Sequence, residues 1–100
     1  MARILITGSG SGLGHLAAET LRSDGHDVIL HARSADRVNG NAVIGDLADM
    51  EHTRDVAAQV NRLGRLDAVI HNAGVYTGRA IMPVNVVATY LLTALIERPV

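Results

Sequence analysis

The chain has no cysteine and no lysine, and only 2% of its residues are aromatic. Without cysteine there is no disulfide framework and no thiolate metal site. Without lysine there is no P-loop, which needs that side chain on the terminal phosphates. All nine basic residues are arginines, scattered along the sequence. The formal net charge of −1 supplies no field that would draw the protein to nucleic acid or to an anionic membrane. No basic segment with a long apolar run precedes Arg3, so a secretory signal is not expected. The longest apolar stretches are too short to span a bilayer. The histidines show no ligand spacing, so no metal site is expected, and there are no repeats or low-complexity linkers. What remains is one small domain, expected in the cytoplasm, with 48% apolar and 19% charged residues.

What is present begins with a strand, a glycine turn and a helix. Ala2 to Ile6 is an apolar run and Leu13 to Ser23 has helical spacing. Between and overlapping them stands Thr7-Gly8-Ser9-Gly10-Ser11-Gly12-Leu13-Gly14. The first amides of a helix have no intrahelical acceptor, and the peptide dipoles add positive potential at the same point. Glycine lets the backbone turn tightly and lets a phosphate approach without meeting a Cβ. The stretch predicts a cradle for the pyrophosphate of a dinucleotide. Its spacing narrows the choice. The pattern G-x-G-x-x-G fails, because it requires glycine at Leu13 or at His15. Two patterns survive: T-G-x-x-x-G-x-G, met by Thr7, Gly8, Gly12 and Gly14, and G-x-G-x-G, met by Gly8, Gly10 and Gly12. The second occurs in S-adenosylmethionine methyltransferases. The first resembles the short-chain dehydrogenases/reductases.

The rest of the chain alternates short apolar runs with amphipathic ones. Strands are predicted over Arg3–Thr7, Asp27–Ala32, Ala42–Gly45 and Asp67–His71. The first helix is expected to turn Leu13, Leu16, Ala17 and Leu21 inward and to stop at Gly25. The second runs from Asp49 or Met50 to Leu63, with Val56, Ala57, Val60 and Leu63 inward and Gly64 as its stop. A third begins near Pro83, carries Val84, Val87, Ala88, Leu91, Leu92 and Leu95 on one face, and ends near Arg98-Pro99. Ser34 to Asn41 and Ala73 to Ala80 read as connections. Apolar strands separated by such helices predict an α/β fold, a Rossmann-type doubly wound parallel sheet in the order 3-2-1-4. Ligands bind such sheets where the order reverses, so Gly8, Asp46 and Asn72 should meet at the carboxyl ends of the strands. Val86 and Ile96 lie off the main stripe of the last helix, which predicts a second covering partner, either further chain or another subunit in a homo-oligomer.

The end of the second strand reports on the cofactor. NAD-binding folds place an acid there for the ribose 2′-hydroxyl. Here the sequence is His31-Ala32-Arg33-Ser34, with no acid. Arg33 can fork onto a 2′-phosphate and Ser34 can add a hydroxyl. NADP(H) is therefore expected to be preferred, with NAD(H) still possible. The missing acid also weakens the methyltransferase alternative, as does Thr7 before the first glycine.

Three further matches strengthen the resemblance. Asp46-Leu47 follows the third strand like the family's Asp-aliphatic pair, which implies a carboxylate and a backbone N–H on the adenine. The alternative for Asp46 is a helix N-cap. Asn72-Ala73-Gly74 resembles the family's N-A-G motif, which implies that Asn72 ties neighbouring strands together while Ala73 and Gly74 leave room for the ribose. Most members carry Asn where this chain has His71, read here as structural. Val84-Asn85-Val86 resembles the family's helix asparagine, which implies that Asn85 interrupts the helix and holds a water in the proton relay to the catalytic lysine. The alternative is an asparagine satisfied by backbone. The loop from Val75 to Met82 is shorter than expected for the family.

The resemblance also defines what is missing. The family's chemistry uses a Ser, a Tyr and a Lys four residues after the Tyr. Tyr76 and Tyr90 are followed at that distance by Ala80 and Ala94. The 100 residues thus read as an incomplete cofactor-binding domain, the first part of a longer oxidoreductase acting on a small carbonyl or alcohol substrate. A non-catalytic NADP(H)-binding sensor and, more weakly, a methyltransferase are the alternatives.

Overall fold

A computed structural model of the chain describes residues 1–10, 12–34, 42–74 and 82–96, and the side chain of Pro83 is outside the description. Four strands, β1 (Arg3–Ile6), β2 (Asp27–Ala32), β3 (Ala42–Ile44) and β4 (Ala68–Ile70), form one sheet in the order β3-β2-β1-β4. Every pairing is parallel, with Ile6 opposite Leu30 on one side and Ile70 on the other. This is the expected doubly wound order.

Alternation along the strands explains why their sequences are apolar throughout. Ile4, Ile6, Val28 and Leu30 face α1 (Gly12–Ser23), where they meet Ala18. Leu5, Ile29 and Val43 point the other way, into a cluster with Val56 and Val60 of α2 (Met50–Leu63) and with Ala88 and Leu92 of the last helix. Successive side chains leave a strand on opposite faces, so a sheet covered on both sides needs apolar residues at every position. Leu5, Ile6 and Ile29 are fully buried, each worth about 1.5–3 kcal/mol of transfer free energy.

Helix faces differ from the sequence expectation in three places. In α1 the buried residues are Gly14 and Ala18, with Ala17 and Leu21 partly covered, while Leu13 and Leu16 are 80% and 59% exposed. The glycine turn fixes the helix: it starts so close to β1 that only a glycine fits at position 14, and that contact sets the inward face. In α2 the stripe is Thr53, Val56, Ala57 and Val60, while Leu63, in the last turn, stands outside it. The last helix opens as a π-helical segment, Pro83–Ala88, and continues as α3 (Thr89–Leu95). A π turn holds more residues than an α turn, so it rotates everything after it. The buried stripe becomes Val84, Ala88, Leu92 and Ile96, and Leu95 turns outward. Ile96 is thus part of the core, contrary to the expectation, whereas Val86 lies off the stripe as expected. The helix ends at Leu95, with Ile96 already extended, earlier than Arg98-Pro99. Those two residues, like Ser11, most of the 34–41 connection and the loop from Val75 to Ile81 with Tyr76, lie outside the described residues.

Candidate functional site

The carboxyl ends of all four strands open into one cleft of about 450 Å³. The turn after β1 contributes Gly8 and Gly10, the end of β2 His31, Ala32 and Arg33, the loop after β3 Gly45 to Ala48, and the exit of β4 Asn72, Ala73 and Gly74, with Val84 closing one side. The predicted convergence of Gly8, Asp46 and Asn72 is therefore present, with Arg33 and Leu47 on the same wall.

The glycine turn is held by its neighbours. The Thr7 hydroxyl, on a side chain 1% exposed, accepts from the amides of Asn72 and Ala73, at 3.0 Å each. Asn72 donates in turn through Nδ2 to the Gly8 carbonyl at 3.3 Å. This ties β1 to the exit of β4, the strand-tying part expected of Asn72. Thr7→Val would strip the Ala73 amide of its acceptor, while the Asn72 amide keeps the Ile70 carbonyl. We expect a loss of about 1–3 kcal/mol in stability, read from denaturant midpoints; an unchanged midpoint would show that water replaces the hydroxyl.

Gly8 and Gly14 fill different needs. Gly8 has φ +68° and a Cβ there would lie 3.0 Å from the Ala73 Cα. Gly14 is in ordinary helix, but its Cβ would lie 2.5 Å from Asn72 Nδ2 and 2.7 Å from the Gly8 oxygen. The two glycines let the turn, the start of α1 and the β4 exit close on one another.

The glycine-rich stretch predicts bare, outward amides between Thr7 and His15, and the first three of these are instead occupied by protein atoms. The Thr7 amide goes to the Ile70 carbonyl, that of Gly8 to His31 Nδ1 at 2.9 Å, and that of Ser9 to the His31 carbonyl. Ser9 is buried, its hydroxyl donating to the Ile6 carbonyl at 2.7 Å. Thr7 and Ser9 thus build the turn and present no side chain to the cleft. The amides of Gly10, Gly12 and Leu13 have no protein acceptor among the described residues, and Gly12 and Leu13 are exposed at the start of α1. The anion-receiving part of the stretch is its second half.

Asp46 is not the cap of α2. That place is taken by Asp49, which accepts from the amides of Glu51 and His52; the His52 and Glu51 amides hold its carboxyl below the usual range. Asp46 instead accepts from the Ala48 amide at 3.0 Å through one oxygen, a local turn that aims the carboxylate along the cleft wall. Arg33 is exposed and has no carboxylate partner among the described residues. Asn85 lies inside the π-helical segment, so the expected interruption of the helix is there; its Oδ1 is 3.5 Å from where a Cβ on Gly74 would be. His71 stands apart from the cleft, with Nε2 3.3 Å from the Thr93 hydroxyl, and partial burial lowers its basicity.

His31 is the residue that sequence reasoning missed. It is 3% exposed, its Nδ1 faces the Gly8 amide and its Nε2 lies 2.9 Å from the Gly45 carbonyl. The available signal was a histidine ending the apolar run Val28-Ile29-Leu30, where a buried polar side chain must be bonded.

The sheet order, the turn after β1 and the cleft at the strand ends define a protein of the Rossmann-type α/β class. The short chain dehydrogenase family model matches residues 2–98, and the chain belongs to that family of oxidoreductases. It is 40% identical, over 99% of its length, to an uncharacterised oxidoreductase of Emericella nidulans and, likewise at 40%, to the short-chain dehydrogenase chyC of Penicillium rubens. The chain spans about half of those relatives, 47% and 45% respectively. Among solved structures, a short-chain dehydrogenase from Streptomyces avermitilis superposes with a TM-score of 0.83 at 29% identity, over 96% of this chain and 44% of that one. A Pseudomonas aeruginosa RhlG/NADP complex, at 24% identity and a TM-score of 0.84 over 95% of this chain and 46% of that one, shows the same fold. The methyltransferase alternative finds no support in these relationships. Among the described residues no helix is long and apolar enough to cross a membrane.

Proposed function

We propose that this chain is the nucleotide-binding part of an NADP(H)-preferring dehydrogenase/reductase that exchanges a hydride with a small carbonyl or alcohol substrate. The observation that carries the reading is the single cleft joining the glycine turn, Arg33, Asp46 and the Asn72–Gly74 exit. The residues fit a dinucleotide: two positions in the cradle exclude a Cβ, and three amides, that of Gly10 before α1 and those of Gly12 and Leu13 at its start, have no acceptor among the described residues and are open to an anion. When bound, the nicotinamide supplies or takes up the hydride.

In this reading Gly10, Gly12 and Leu13, with Ser11 between them, hold the linked phosphates through backbone N–H groups. Arg33 pairs with the 2′-phosphate, and Ser34 assists. Asp46 accepts from the adenine amino group beside the Leu47 backbone. Ala73 and Gly74 keep the ribose wall low, and Asn72 holds that wall against Gly8. Asn85 would position a water for the proton that accompanies the hydride. The Ser, Tyr and Lys that handle this proton in the family lie outside these residues, in a longer protein of which residues 1–100 are one incomplete domain. The reading takes the protein as cytoplasmic. It also takes it as a homo-oligomer through the last helix, whose outer face carries Val86, Tyr90 and Leu95 at 51%, 72% and 42% exposure.

Fluorescence titration of the full-length protein with NADPH and NADH tests the reading. NADPH is expected to bind more tightly by about ten- to a hundredfold, the worth of charge-assisted hydrogen bonds to the extra phosphate. Failure to bind either nucleotide overturns it, and tighter NADH binding overturns the preference. Binding without turnover of any carbonyl would favour the non-catalytic sensor.

A further inference from the structure

We propose that His31 is a positioning residue of the cradle: its imidazole bridges the Gly8 amide and the Gly45 carbonyl, so the turn keeps its nucleotide-receiving shape only while that ring is neutral. The inference rests on the dinucleotide reading above and concerns a residue that reading does not use.

Geometry fixes the protonation pattern. A backbone amide can only donate, so the 2.9 Å contact from Gly8 makes Nδ1 an acceptor. A backbone carbonyl can only accept, so the 2.9 Å contact to Gly45 places the proton on Nε2. One neutral tautomer satisfies both. The backbone of the same residue grips the turn as well: its amide donates to Ser9 Oγ at 2.9 Å and its carbonyl accepts from the Ser9 amide. A proton added at Nδ1 would face the Gly8 N–H, break that bond and push the turn from β2. Gly8 is the residue whose φ of +68° turns the chain toward the open amides, so the displacement would reach the phosphate position.

The surroundings favour the neutral ring. Burial lowers the basicity of His31 below its ordinary value, and the Gly45 carbonyl and the nearby Asp46 carboxylate offset only part of that. Among the described residues, the other charged and titratable groups on these neighbouring elements are Arg33 just after its own strand and His52 of α2, which accepts from the Asp46 amide. The turn after β1 contributes none, being Thr7 to Gly10. The sign follows. As pH falls below the ordinary histidine value of 6.5, the unfolded chain takes up the proton first. Stability is thus complete above 6.5 and lost progressively below it, toward the lower folded value, whereas the binding geometry of the folded protein is lost only as pH falls through that lower value.

The test compares NADP⁺ affinity by calorimetry, between about pH 8 and pH 5, in the wild type, in His31→Gln and in His31→Leu, with thermal unfolding measured at each pH. Glutamine can make the same two bonds and takes up no proton. Leucine fills the space and leaves both backbone groups unpaired. The 2′-phosphate also titrates near pH 6, with a second pKa of about 6, and the comparison with His31→Gln removes that contribution. We expect wild-type affinity to drop relative to that of His31→Gln as pH falls, by about tenfold once the ring takes up its proton, the loss of the Gly8 hydrogen bond with a donor left facing a donor. His31→Leu should bind about tenfold or more weakly at every pH at which it is folded, and His31→Gln should recover most of that loss. Parallel pH profiles in the wild type and His31→Gln would overturn the role of His31 while leaving the dinucleotide reading intact. Absence of binding by the wild type at pH 8 would overturn both.

Discussion

Replacing Arg33 with alanine is expected to weaken NADPH binding by about ten- to a hundredfold and to leave NADH binding within a factor of about two. The reason lies in what Arg33 has around it. It is exposed on the cleft wall at the end of β2 and has no carboxylate partner among the described residues, so none of their carboxylates competes with a phosphate for its guanidinium. A planar fork of donors suits a phosphate better than a ribose hydroxyl, and a hydrogen bond to a charged group is worth about 1.5–3 kcal/mol. NADH lacks the phosphate and has nothing to lose there. Titrations at two salt concentrations add a check, because an exposed ion pair weakens as salt rises. Equal losses for both nucleotides would show that Arg33 acts on the fold or on a group the two share. Arg33→Asp should go further and reverse the preference, since a carboxylate repels the 2′-phosphate and accepts from both ribose hydroxyls.

Gly14→Ala is expected to abolish measurable nucleotide binding and to cost about 1–3 kcal/mol in folding stability, the range for overpacking a filled site. The added methyl would lie 2.5 Å from Asn72 Nδ2, 2.7 Å from the Gly8 oxygen and 3.1 Å from the Ser9 Cα. Two of those three atoms are backbone and cannot rotate away, so α1 must move off the turn. Gly12→Ala is the contrasting case. Its Cβ meets nothing within 4 Å, but the residue has φ +64°, and the expected cost is the conformational one alone, about 1–2 kcal/mol. Urea denaturation together with NADPH titration separates the pair: Gly14→Ala should lose binding even where it is fully folded, and Gly12→Ala should retain some. If the two variants behave alike, close packing of α1 on the turn is not what shapes the cradle.

Much of the fold could be read before the structure. The parallel order followed from apolar runs of strand length separated by amphipathic stretches, and the site followed from where glycine, arginine, aspartate and asparagine stood relative to the strand ends. What could not be read were rotations. Gly14 and Ala18 of α1, not Leu13 and Leu16, face the sheet, because the turn before the helix sets its angle. Ile96, not Leu95, is in the core, because the π turn around Asn85 shifts the phase of everything after it. A hydrophobic stripe assumes a constant 3.6-residue period and a helix free to roll, and neither holds next to this site.

By itself the sequence determined which residues lie near the site, since residues just beyond the ends of parallel strands must gather at one end of the sheet. Only the tertiary structure decided how they divide the work. Thr7, Gly8 and Ser9 belong to the same glycine-rich stretch as Gly10 and Gly12, yet their amides are occupied by Ile70 and by both ends of His31. Which donors remain open to a ligand depends on partners 22 to 63 residues away, supplied by packing and not by local pattern.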